Sequence, residues 1–118
     1  MSVESLMVSA LAPLVTGPVH FSVAPAGAAA PRLVLQQVGG DELQFMEGEL
    51  ADMEQPRIQV AAWATTYNVA KILSRQAAAA LCAAAGLQVE PLGAAVADYE
   101  EDTKLHGFRQ DFSVAGKR

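Results

Sequence analysis

Residues 98–114, DYEEDTKLHGFRQDFSV, crowd Asp98, Glu100, Glu101, Asp102 and Asp111 around His106 and Arg109. Carboxylates beside an imidazole could hold a metal or run acid–base chemistry, so the spacing must be tested. A twelve-residue calcium loop needs glycine at its sixth position and glutamate at its twelfth. Counted from Asp98 those positions are Thr103 and Arg109, and the match fails. Paired carboxylates act as acid and base only where burial separates their pKa values, and a polar link between two strands is the wrong place for that. His20 and His106 each stand apart from any recognised ligand pattern, which favours hydrogen-bonded structural roles. The chain contains no P-loop, nucleophile elbow, HExxH or CxxC pattern. Its single cysteine, Cys82, lies among alanines and reads as a small buried apolar residue. The expectation is a protein that is not an enzyme, with no cofactor and no metal.

The elements that carry these residues can be read from periodicity. Val3, Leu6, Met7, Ala10, Leu11 and Leu14 recur at helical spacing, with Ser2 placed to cap and Pro13 and Gly17 placed to stop the pattern. This stretch lacks the basic start of a signal peptide and carries Glu4, so it reads as a first helix. A short strand falls within residues 18–23, and the following PAGAAAP reads as a loop. In RLVLQQV, residues 32–38, Leu33 and Leu35 share one face and Val34 and Val38 the other, before Gly39 and Gly40 end the strand. Pro56 opens a strand over residues 57–63, with Ile58, Val60 and Ala62 on one face and Gln59, Ala61 and Trp63 on the other. Thr65 or Thr66 caps a long helix starting at Tyr67. Its expected stripe is Val69, Ile72, Leu73, Ala77, Ala80, Leu81 and Ala84, with Lys71 and Arg75 outside it and Gly86 as its end. A hairpin closes the chain: a strand reaching Tyr99, the turn EEDTK, and a final strand with Phe108, Gln110, Phe112 and Val114 facing one way and Arg109, Asp111 and Ser113 the other. The fold expected over residues 1–118 is a single α+β domain, an antiparallel sheet of about four strands with two helices packed on one face, plus an extended acidic hairpin arm.

Charge narrows the partners. The 118 residues carry 13 acids against 8 lysines and arginines, a net charge of −5, which disfavours a face built to neutralise phosphates. Six of the acids lie in residues 41–55, DELQFMEGELADMEQ, without one base and interleaved with Leu43, Phe45, Met46, Leu50 and Met53. Such a stretch fits a hairpin extension with one solvated face, a mobile surface loop, or an arm that binds a partner. The longest apolar run, residues 77–87, is mostly alanine and well short of the roughly 18–20 residues that cross a bilayer. A soluble protein, made in the cytoplasm and binding no membrane, is expected.

RIQVAAWATTYNVAKILSRQAAAAL, followed by YEEDTKLHGFRQDFSV, resembles the tail-completion family of long-tailed bacteriophages, also called tail terminator or head-to-tail joining proteins. The likeness rests on the strand ending in Trp63, the helix start at Thr66, Tyr67 and Ala70, the turn with Tyr99, Glu100, Asp102 and Thr103, and the final strand with Phe112. VAPAGAAAPRLVLQQV also fits, as a Pro-rich loop before a strand. It implies a hexameric ring in the neck of the virion, closing the head-proximal end of the tail, halting tube polymerisation and presenting a docking surface to the head connector or stopper protein. The expected partners are further copies of the chain and the tail tube protein, with DNA passing through the lumen without specific binding. Assembly would take place in the host cytoplasm.

In that setting Asp41, Glu42, Leu43, Phe45, Met46, Glu47, Glu49, Leu50, Met53 and Glu54 form a candidate subunit or tail-tube interface. Lys71, Arg75, Glu100, Glu101, Asp102 and Arg109 are candidate charge contacts between subunits. Two readings stand beside this one: another neck or tail component, such as a head-closure or tube-like subunit, and a small acidic module that binds a host protein.

Overall fold

A computed structural model of the protein describes residues 3–21, 30–41 and 53–117. The chain order is α1 (Val3–Leu11), a 3-10 turn (Ala12–Leu14), β1 (His20–Phe21), β2 (Arg32–Asp41), β3 (Met53–Ala64), α2 (Tyr67–Cys82), β4 (Gln88–Pro91), β5 (Val96–Glu100) and β6 (Leu105–Lys117). The α+β class is as expected, but the sheet has six strands rather than about four, in the order β1-β2-β3-β6-β4 with β5 also on β6. Nor is it wholly antiparallel, since β1 pairs parallel to β2. The short strand itself lies within the expected residues 18–23, but two residues carry no periodicity that would announce a partner or its direction.

The frame is the antiparallel pairing of β3 with β6, which keeps one register from Met53↔Lys117 to Ala64↔His106. Residues directly opposite one another point to the same face. Ile58, Val60 and Ala62 therefore join Phe108, Gln110 and Phe112 on one face, and Leu33 and Leu35 extend that face across β2. All of these except Gln110 are buried. Val3, Met7 and Leu11 of α1 and Leu73, Ala77 and Leu81 of α2 close over the rest in one core, while Phe108 packs with Ala64 and Ala70 in a smaller cluster, so both helices lie on one face, as expected.

Three strand boundaries differ from the periodic reading. Gly39 and Gly40 do not end β2: the register shifts by one residue between Gln37 and Gly39, and the strand continues to Asp41. The extra residue of this bulge is Val38. Pro56 does not open β3 either; it lies inside the strand, opposite Gly40. Lacking an N–H, it costs the β6 side of the ladder, where pairing skips from Glu54↔Gly116 to Arg57↔Ser113. The strand expected before Tyr99 is two strands, because residues 92–95 bulge out opposite Gln110 and Asp111. Leu92 N–H donates to the Asp111 carbonyl at 2.9 Å, and Gly93, with φ of 105°, takes the turn at no steric cost.

Helix α2 begins where the sequence placed it: Thr66 is the N-cap, its Oγ1 accepting from the Val69 N–H at 3.3 Å. Its buried face is Ala70, Leu73, Ser74, Ala77 and Leu81. Val69 and Ile72, expected on the core stripe, are 44% and 56% exposed. Small residues let the helix approach the sheet closely, and the two large β-branched side chains are turned outward. Cys82 is exposed as well, not buried, and the helix ends there, so Gly86 serves a later turn at φ of 84°.

On the opposite face of the sheet the Trp63 ring lies across Gly107, where an added Cβ would come within 2.6 Å of the indole. Gly107→Ala should therefore destabilise the protein by about 1–3 kcal/mol, seen as a lower urea midpoint. In a Trp63→Ala background that cost should largely vanish, and an equal cost in both would show that the indole is not the obstacle. Phe112→Ala, at the centre of the core and 1% exposed, should cost about 3–5 kcal/mol in the same measurement.

Candidate functional site

The residues that drew attention as chemistry are dispersed by the fold. Glu100 ends β5, while Glu101 and Asp102 lie exposed in the turn that leads into β6. Thr103 donates from its hydroxyl to Glu100 Oε1 at 2.8 Å, and Lys104 takes a left-handed φ of 56°. This is a closed turn. His106 lies between two tyrosines, 4.9 Å from the Tyr99 ring and 6.4 Å from the Tyr67 ring, with Tyr67 also packed on Phe108 at 5.1 Å. An imidazole held between aromatic rings is a packing element. Among the described residues no three of His, Cys, Asp and Glu are grouped to hold a metal ion, and no described helix is long and apolar enough to cross a membrane.

Among the described residues, the sheet face opposite the two helices carries a polar network. Arg57 donates through Nε and Nη2 to Asp111 Oδ2 at 3.0 and 2.7 Å, and Gln59 Nε2 donates to Asp111 Oδ1 at 3.3 Å. Gln55 Nε2 donates to Ser113 Oγ at 3.1 Å. Arg109 lies on this face too and pairs with Asp98 at 3.4 Å. Arg109 is thus separated by the sheet from Lys71 and Arg75, with which the sequence reading had grouped it. The Arg57–Asp111 and Arg109–Asp98 pairs are the contacts that reading missed. The register of β3 on β6 places Gln59 directly opposite Asp111 with Arg57 two residues along the same face, so the first pair is readable once the register is known.

Lys71 and Arg75 do come together. One turn apart on α2, they line a cleft of about 370 Å³ with Ser74, Ala78, Phe108 and Gln110, closed on the far side by Ala94 and Ala95. The bulge at residues 92–95 makes that wall, and Gln110 holds it by donating from Nε2 to the Gly93 carbonyl at 2.9 Å. A smaller cleft of about 230 Å³ opens on the other face, against Gln59, Arg109 and Asp111.

The acidic stretch divides. Asp41 belongs to β2, opposite Gln55, and Met53 and Glu54 belong to β3, opposite Lys117 and Gly116, so these three are strand residues. Glu42, Leu43, Phe45, Met46, Glu47, Glu49 and Leu50 lie outside the described residues, as does the expected hairpin arm. What the strands establish is that the two ends of this stretch are held side by side.

Exposed apolar residues are concentrated near the start of α2 and along β5: Tyr67, Val69 and Ile72 on the helix, Leu92 and Val96 at the bulge, and Tyr99. These are surfaces suited to contact. The sequence model of one family, described as tail completion protein gp17, matches residues 6–115. No curated protein matches the chain.

With Ile72 turned outward on α2, Ile72→Glu should leave the unfolding free energy from urea titration within about 0.5 kcal/mol of the parent. Leu73→Ala, one residue on, should cost about 2–5 kcal/mol. Comparable losses at both positions would place Ile72 in the core.

Proposed function

Since the chain belongs to the tail completion protein gp17 family, and is thus a structural protein of the phage tail, we propose that it forms a ring, six copies in number, at the head-proximal end of the tail. There it ends polymerisation of the tail tube and offers a docking surface to the head connector or stopper protein. The observation that carries this reading is the family match across residues 6–115 of 118. The surfaces support it. A ring subunit needs distinct faces for two neighbours and for the parts above and below. This chain has a helix face with Val69 and Ile72 exposed, an open polar sheet face, and an acidic stretch rooted at one end of the sheet.

The same reading accounts for the charge. Six copies at −5 each would carry about −30 in total, which disfavours retention of DNA phosphates as the genome passes. The acidic stretch at residues 41–55 meets a neighbouring copy or the tail tube. Assembly takes place in the host cytoplasm and the protein stays in the virion neck.

Two measurements test the proposal. Native mass spectrometry of the purified protein should give six times the chain mass, alone or after elution from tails. Negative-stain images of the protein mixed with uncapped tails should show added density at one end only, and those tails should stop lengthening when tube subunits are supplied. Density along the whole tube, or tails that continue to grow, would mark the chain as a different tail component.

A further inference from the structure

We propose that the cleft beside α2 receives the acidic stretch, residues 41–55, of a second copy of this chain. This rests on the ring reading and names a contact within it. Lys71 and Arg75 present two cations at the cleft, one helical turn apart, over a floor that includes Phe108 and Ala78. Arg57 and Arg109 each have a carboxylate within ion-pair distance, whereas Lys71 and Arg75 have none among the described residues. The carboxylates of β5 and β6 are engaged elsewhere: Asp98 by Arg109, Asp111 by Arg57, and Glu100 by Thr103.

A cleft with two cations and an apolar floor fits a segment in which carboxylates alternate with apolar side chains. The chain has one such stretch, with six acids and no base around Leu43, Phe45, Met46, Leu50 and Met53. Its own copy is rooted far from its own cleft. The cleft residue Gln110 stands opposite Val60, whereas the stretch re-enters the sheet at Met53, opposite Lys117. Seven residues of strand separate the two points, about 23 Å. The stretch also leaves from the β2–β3 side of β6, while the cleft opens on the β4–β5 side. The occupant is therefore a neighbour's stretch. A contact that joins the cleft of one copy to the stretch of the next is head-to-tail, the kind that closes into a ring when its rotation divides a full turn. Partly solvated ion pairs of this sort set register and encounter more than raw affinity.

Charge reversal tests this in the full-length chain. One variant carries Lys71→Glu and Arg75→Glu; the other carries Glu47→Lys, Glu49→Lys and Asp52→Lys. Each alone should associate at least about tenfold more weakly than the parent by light scattering and native mass, with an unchanged circular dichroism spectrum. Mixed in equal amounts the two should regain the parent's assembly, because every junction in an alternating ring then brings opposite charges together. A turn control with Glu101→Lys and Asp102→Lys, the rival occupant of the cleft, should not restore assembly of the cleft variant.

The proposal is overturned if the cleft variant assembles normally, if mixing fails to rescue, or if the turn control complements the cleft variant in place of the stretch variant. It is also overturned if the parent remains monomeric, or if the cleft binds duplex DNA while assembly is indifferent to it. Scoring tail capping in parallel separates the two readings. A parent that caps tails while the cleft variant still assembles sinks only this contact. Rescue by mixing in a protein that caps no tail sinks only the proposed function.

Discussion

The rest of the structure depends on the pairing of β3 with β6. One unshifted register over these two long strands decides what lies on each face of the sheet. On one face it sets Ile58 against Phe112 and Ala62 against Phe108, a buried surface to which both helices are fitted. On the other it sets Gln59 against Asp111 and lays the Trp63 ring over Gly107. A slip of one residue would exchange the two faces, exposing the core and burying an ion pair. Burial of large apolar side chains, each contributing about 1.5–3 kcal/mol, enforces the register. The half-exposed Arg57–Asp111 pair adds little by comparison.

The faces divide the work. The helix-covered face supplies stability, and its polar interruption at Gln110 is tied to the Gly93 carbonyl, which shapes the wall of a cleft. The open face has no helix and carries paired charges and amides. Because Ala70, Ser74 and Ala77 share the buried face of α2 with Leu73 and Leu81, its larger β-branched residues are left facing outward. Close packing on one side of the helix thereby creates an apolar contact surface on the other.

Much of this was legible because period-two alternation is robust over long half-buried strands. Ile58, Val60 and Ala62, and Phe108, Phe112 and Val114, face the core as their spacing requires, and Thr66 caps α2 as its type predicts. Alternation cannot register an inserted residue, so the bulge at Val38 and the extension to Asp41 were hidden. Pro56 was misread as a strand start because proline is judged by its missing donor, whereas here that loss falls on one neighbour only. Size-weighted periodicity favoured Val69 and Ile72 over Ala70 and Ser74, although small residues are what a close helix–sheet contact selects. The cleft was half visible: Lys71 and Arg75 share a helix face in any reading. Its other wall depends on how residues 92–95 lie against Gln110 and Asp111, a long-range fact that no local pattern contains.

The interruption at residues 92–95 also limits what the sheet margins can template. It divides one margin of the sheet into strands of four and five residues. Among the described residues the other margin is covered by the two residues of β1 and bent at Val38. Neither margin offers the long, straight row of free amides and carbonyls on which a further strand could template itself. Among the described residues no sheet edge favours backbone-to-backbone growth, which has no natural stopping point. The copies of the proposed ring would then join through side chains, whose shapes fix an angle and hence a finite number. For a part proposed to end a polymer, the consequence is that it starts none of its own.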